Sequence, residues 1–175
     1  MIVVFEGPDA SGKSELARRT AARYEMPSVK TGPSGRHLRS FAEFAATLYD
    51  APPVGDGGTP EIVFDRWATS EWLYGPLFRH DARINATEHA ILLQFLFARD
   101  GVLVVCLPPI DVCVDTWRAD PKPVPGATPD ERQIVEAYRA WEGVAARYAD
   151  LVWDYTSDGP IEELWRRIWA FRSGT

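Results

Sequence analysis

The residues with the most chemistry lie near the start of the chain. Gly7-Pro8-Asp9-Ala10-Ser11-Gly12-Lys13-Ser14 fits the pattern G-x-x-x-x-G-K-[ST]. Glycines at these places let the backbone curl so that successive N–H groups point at phosphate oxygens, and a helix opening after Gly12 adds the positive end of its dipole. In such a loop the backbone at Gly7, Ala10, Ser11 and Gly12 cradles a nucleoside triphosphate. Lys13 reaches its β- and γ-phosphates, and the Ser14 hydroxyl is a magnesium ligand. With glycine at about 7% of positions in average proteins, chance places the pattern in roughly one chain in a hundred of this length. Lys13 is also one of only three lysines, with Lys30 and Lys122. A second cluster, Asp65-Arg66, closes an apolar run. Its carboxylate, at the end of an expected strand, is a candidate to hold Mg²⁺ directly or through water.

These residues need strands and helices behind them. Short apolar runs alternate with amphipathic segments, which predicts an α/β fold with a mainly parallel sheet. Strands are expected over residues 2–5, 27–30, 61–64, 102–107 and 151–155. Helices are expected over 15–24, 36–49, 67–79, 87–99, 111–118, 130–148 and 161–171, with Thr128 or Asp130 capping the long one. The phosphate loop then sits between the first strand and the first helix, the context it requires. Residues 119–129 hold four prolines and a glycine and read as a loop. No repeat or linker interrupts the 175 residues, so one domain is expected.

Composition narrows the partners. The net charge is -6, from 19 Lys+Arg against 25 Asp+Glu, which argues against coating nucleic acid or anionic membrane. No apolar run approaches the roughly 18 residues of a membrane span, and no secretory signal opens the chain, so a cytoplasmic protein is expected. Cys106 and Cys113 form neither a disulfide framework nor a zinc pattern. The single asparagine, in Asn85-Ala86-Thr87-Glu88, gives no N-K-x-D element, which argues against a GTPase. His37, His80 and His89 lack metal-ligand spacing and read as helix-surface residues. Trp72, with Leu73, Leu77 and Phe78, reads equally as core or as a homodimer face.

Three further pieces carry a resemblance. Phe5-Glu6-Gly7-Pro8-Asp9 is similar to the F-E-G-x-[DE] loop of thymidylate kinase-like nucleoside monophosphate kinases. Asp65-Arg66-Trp67-Ala68-Thr69-Ser70, with Tyr74, is similar to their D-R-[YH]-x-x-S-x-x-x-[YF] element. Leu107-Pro108-Pro109 resembles their L-D-x-P-P strand exit. The match spans about residues 1–150, in the manner of a short, divergent phage-type deoxynucleotide kinase. It implies a three-layer P-loop NTPase fold: a five-stranded parallel sheet, order 2-3-1-4-5, flanked by helices, with a lid over about 119–130. It implies ATP as donor, with Mg²⁺, and a deoxynucleoside monophosphate as acceptor, dTMP or a related pyrimidine.

The resemblance also implies roles. Asp9 binds the acceptor sugar's 3′-hydroxyl, Arg66 touches the acceptor phosphate, and Ser70 and Tyr74 lie near the acceptor nucleoside. Lys30-Thr31-Gly32-Pro33-Ser34-Gly35-Arg36 is loosely similar to the family's T-R-E-P-G-G-T loop, which makes Arg36 and Arg39 candidates for the acceptor phosphate. Arg118, Lys122 and Arg132 flank the lid and are candidates to close on the transferring phosphoryl group. The base-reading arginine that thymidylate users carry before the D-R strand is missing from residues 41–46. There Phe41 or Phe44 is a candidate to stack on a base or to pack in the core. Three other functions stay open: a deoxynucleoside kinase with Glu6 or Asp65 as base, a kinase of hydroxymethylated bases in DNA, and a catalytically silent nucleotide-binding regulator.

Overall fold

A computed structural model describes residues 1–32, 35–51, 61–120 and 130–173. Five parallel strands, β1 (Ile2–Glu6), β2 (Ser28–Lys30), β3 (Ile62–Asp65), β4 (Gly101–Cys106) and β5 (Leu151–Trp153), form one sheet in the order β2-β3-β1-β4-β5. This is the order expected from the resemblance. Parallel strands covered on both faces read as continuous apolar runs, and every residue of β1, β3 and β4 is buried. The pleat divides them. Ile2, Val4, Phe64, Leu103 and Val105 face a core built with α2 (Phe41–Tyr49), α3 (Ala68–Tyr74), α4 (Ala86–Phe97) and α6 (Glu131–Tyr148). Val3, Phe5, Val63, Val102 and Val104 face α1 (Lys13–Tyr24) and α7 (Ile161–Ser173). Helix α5 (Ile110–Ala119) follows β4.

Register fixes the site. Phe5 lies opposite Asp65, and Glu6 opposite Val105. The carboxyl ends of β1 and β3 therefore finish side by side where the strand order turns, the crevice in which open α/β sheets bind ligands.

Two helices differ from expectation. The helix expected over 36–49 starts at Phe41, because the Ser40 side chain accepts from the Glu43 N–H and Glu43 accepts from the Arg39 N–H at 2.6 Å, a local cap that outcompetes an earlier start. The helix expected over 67–79 ends at Tyr74. Beyond it Gly75–Arg79 widen into a π-helical turn that includes Pro76, which has no N–H to give. Asp130 caps α6 in a reciprocal pair with Gln133, as expected, and Asn85 with Glu88 does the same for α4.

His89 is not a surface histidine. It is 1% exposed, stacked on Trp72 at 4.4 Å between ring centroids, and within 3.1 Å of the Thr69 hydroxyl. Burial lowers its pKa to about 4. The partly buried Trp72 ring, stacked on His89 and set edge-on to Tyr148, packs against the core. Both cysteines are buried and unbridged. Among the described residues, no helix is long and apolar enough to cross a membrane.

Candidate active site

The phosphate loop is pinned from below. Gly7 has φ 142°, and a Cβ there would lie 2.4 Å from the Cys106 carbonyl oxygen, so only glycine lets β1 turn this close to β4. Gly12, at φ 77°, ends the loop and opens α1. A Cβ on it would meet the Tyr155 ring at 3.0 Å. Lys13 is 4% exposed; its Nζ donates to the Pro8 carbonyl at 2.7 Å and lies 4.0 Å from Asp9 Oδ1. Burial, reinforced by the neighbouring Arg66 charge, lowers its pKa to about 8. The Ser11 hydroxyl is buried without a hydrogen-bond partner among the described residues, while Ser14 is exposed on the first turn of α1.

Arg66 is aimed by an unusual backbone. It takes the left-handed conformation at φ 68°, which costs a non-glycine residue on the order of 1–3 kcal/mol and persists only where its surroundings enforce it. Glu6 does the enforcing. Its fully buried carboxylate accepts from the Trp67 N–H at 2.8 Å, the Ser70 N–H at 3.0 Å and the Ser70 hydroxyl. Burial pushes the Glu6 carboxyl up, and the Ser70 hydrogen bonds pull it back. With its oxygens thus committed, Glu6 positions the Arg66 turn and is not placed to serve as the base of a nucleoside kinase.

The Arg66 guanidinium pairs with Asp9, donates to the Ser70 hydroxyl at 3.2 Å, and lies 5.2 Å above the Tyr74 ring. Burial works against its charge, but Asp9 holds its pKa above the ordinary arginine value. Tyr74 accepts from Trp141 Nε1 at 3.0 Å, and burial raises its phenol. Asp65 lies under the turn. One oxygen is 3.4 Å from Lys30 Nζ; the other, Oδ1, is buried and unpartnered among the described residues.

Asp9, Lys13, Arg66, Ser70 and Tyr74 line one cavity of about 710 Å³, whereas Glu6, Gly7 and Asp65 lie behind its wall and not on it. Toward β5 it is walled by Tyr155 and Thr116, and toward β3 by Trp67, Ser70, Glu71, Tyr74, Phe78, Arg79 and Arg83, with Leu38 and Phe44. Its wall carries five cations (Lys13, Lys30, Arg66, Arg79, Arg83) against three carboxylates (Asp9, Glu15, Glu71), in a chain of net charge -6.

The structure brings Asp9, Ala10, Ser11, Gly12, Lys13, Ser14, Arg66, Ser70 and Tyr74 to this cavity and keeps other candidates out of it. Arg36 and Arg39 are exposed beside it, since the chain is extended there and turns Leu38 inward. Phe41 packs on Phe95, whereas Phe44 reaches the wall. Arg118 is paired with Asp115 at 3.0 Å and Glu131 at 2.8 Å, and Arg132 is exposed. Lys122 and most of the expected lid lie outside the described residues. Sequence reasoning missed Glu71, Arg79, Arg83 and Tyr155. Glu71 follows Ser70 directly, but its arginines join it only because the helix breaks at Gly75.

No protein-family model matches the chain, and no curated protein does. Solved structures do. The YorR protein of Bacillus subtilis, in complex with phosphorylated GDP, superposes with a TM-score of 0.70 at 19% identity, over 96% of this chain and 93% of that one. The deoxyadenosine kinase of M. mycoides with bound dATP gives 0.63 at 12% identity, over 96% and 98%. A gluconokinase from Sinorhizobium meliloti 1021 gives 0.54 at 13% identity, over 99% and 91%. This is an α/β P-loop fold. Within the P-loop fold the order of the strands, the loop after β1 and the arginine turn after β3 all stand where the sequence motifs put them.

Proposed function

We propose that the protein transfers the γ-phosphoryl group of ATP to a nucleoside monophosphate, giving the diphosphate and ADP. The resemblance in sequence favours dTMP or a related pyrimidine deoxynucleotide as acceptor. One observation carries the reading: Lys13 in the phosphate loop and Arg66 after β3 face one cavity, with Asp9 between them, in contact with Arg66 and near Lys13. A donor triphosphate and an acceptor phosphate are both anions, and the cavity's positive balance suits the pair.

An oxygen of the acceptor phosphate attacks Pγ in line while the bond from Pγ to the β,γ-bridging oxygen breaks and ADP leaves. That oxygen is already anionic near neutral pH, so no strong base is required. The work is positioning and charge stabilisation. The loop amides and Lys13 hold the donor phosphates; Arg66 holds the acceptor phosphate; Asp9 fixes Arg66 and takes the sugar 3′-hydroxyl; Ser70 and Tyr74 support the nucleoside. The unpartnered Asp65 Oδ1 and the exposed Ser14 hydroxyl are hard oxygen donors, and they fit the magnesium that arrives with ATP. Asp65 and Ser14 would hold the ion, and it would supply neutralisation of charge on the donor phosphates. A lid over about 119–130, with Arg118, Lys122 and Arg132 as candidate cations, belongs to the same reading.

A deoxynucleoside kinase is the rival reading. It needs a carboxylate base; of the two expected for that role Glu6 is committed to Trp67 and Ser70, which leaves Asp65, whose Oδ1 makes no hydrogen bond among the described residues. Coupled ADP release over matched panels of monophosphates and nucleosides separates the two. Turnover is expected with monophosphates; turnover with nucleosides alone would refute the proposal.

A further inference from the structure

The end of the cavity beyond Arg66 is not explained by phosphate chemistry. Glu71, on α3, lines it with a side chain only 10% exposed. Its Oε1 accepts from Arg79 and from the Arg83 N–H at 3.3 Å. Its Oε2 makes no hydrogen bond among the described residues and lies 3.8 Å from Arg83 Nη1. Arg83 is itself held, donating to the Leu38 carbonyl at 3.0 Å. The surrounding wall is apolar and aromatic: Leu38, Phe44, Trp67 and Phe78. An apolar, aromatic wall with one fixed carboxylate beside guanidinium donors suits a planar heterocycle with a polar rim.

The carboxylate decides which rim. An ionised carboxylate accepts hydrogen bonds and cannot donate them. Cytosine and adenine present an exocyclic amino donor where thymine and uracil present the O4 acceptor. Set against Glu71 Oε2, an amino group gains a charge-assisted hydrogen bond, whereas the O4 of thymine or uracil meets a like partial charge, and their N3–H donor stands between two carbonyl oxygens that meet the same charge. Resting on the proposal that this cavity takes a nucleotide acceptor, and departing from the sequence resemblance by setting cytosine in place of thymine, we propose that Glu71, held by Arg79 and Arg83, selects acceptors whose base carries an exocyclic amino group, cytosine first among pyrimidines, over thymine and uracil. Ring nitrogen or carbonyl acceptors beside the amino group fall to the arginines. Glu71 acts on the base alone and leaves the reacting phosphates to Lys13 and Arg66.

Pairs that differ only by amino against oxo test this without changing ring size: dCMP against dUMP, and AMP against IMP. The amino member is expected to have at least about a tenfold higher kcat/KM, since a site built around a buried polar group rejects analogues that leave it unpaired. Glu71→Gln offers an amide that also donates, so the dCMP/dUMP ratio of kcat/KM is expected to fall at least about tenfold. Glu71→Asp, which keeps the charge but withdraws its reach, guards against misfolding of the glutamine variant and is expected to lower the same ratio. If nucleosides rather than monophosphates turn over, the ratio is read on deoxycytidine and deoxyuridine. If nothing turns over, it is read as calorimetric binding of dCMP and dUMP. A wild-type ratio of one or less, binding of neither ligand, or variants that lose rate and melting temperature with the ratio unmoved would overturn the proposal.

Discussion

At the scale of single residues, two buried charges define the site. Lys13 is an ammonium whose pKa burial has lowered to about 8. Bound phosphate favours the charged form, so ATP affinity is expected to weaken as pH rises through about 8 toward 10.5. Titration calorimetry at stepped pH would show proton uptake on binding in that window. Without ligand the sign reverses: the unfolded chain holds the Lys13 proton up to about 10.5, so relief of the buried charge adds stability as pH climbs from 8. Lys13→Ala is expected to cut turnover by at least about a hundredfold. Glu6 works on the backbone. Glu6→Gln keeps its shape and can keep an oxygen on the Trp67 and Ser70 N–H groups, but it sets an amide donor against the Ser70 hydroxyl and removes the charge, and about 1–3 kcal/mol of stability is expected to be lost in urea melts, with a raised acceptor KM as Arg66 is displaced. Glu6 was visible in the sequence as an acid ending an apolar strand. Its use was not, because Trp67 and Ser70 lie more than 60 positions away in the chain.

At the scale of elements, the strands were legible because a parallel sheet buried on both faces writes itself as apolar runs. The phosphate loop was legible because its glycines are required by geometry. At Gly7 that requirement is severe, so Gly7→Ala is expected to abolish ATP binding and lower the melting temperature, with the new methyl driven into the Cys106 carbonyl. What stayed hidden were irregular joins. The extended stretch before Phe41 and the break at Gly75 are decided by a cap and by packing of Gly75 against Asp81 and Ala82, and both redirect arginines. Arg36 and Arg39, expected to reach an acceptor phosphate, lie outside the cavity; Arg79 and Arg83, which drew no attention in the sequence, line it.

Across the whole molecule, an acidic body surrounds a cavity with a positive balance. Ligand binding to the folded state alone stabilises by mass action, by about 2.7 kcal/mol at a concentration of one hundred Kd, so MgATP is expected to raise the melting temperature of the wild type and not of Lys13→Ala. The core also sets an acid limit. His89 is neutral and buried, with a pKa of about 4 in the fold. Between pH 6.5 and 4 the unfolded chain takes up the proton first, so stability is expected to fall with pH through that window, by at most about 3 kcal/mol from this group. His89→Gln should flatten the slope, as followed by urea unfolding at stepped pH.

The central claim is phosphoryl transfer between two nucleotides, and ³¹P NMR of the protein with MgATP and a nucleoside monophosphate tests it most directly. The expected result is growth of two diphosphate spectra, ADP and the acceptor diphosphate, in equal amounts, and none with Lys13→Ala. Inorganic phosphate as the sole product, or unchanged ATP across every monophosphate tried, would contradict it.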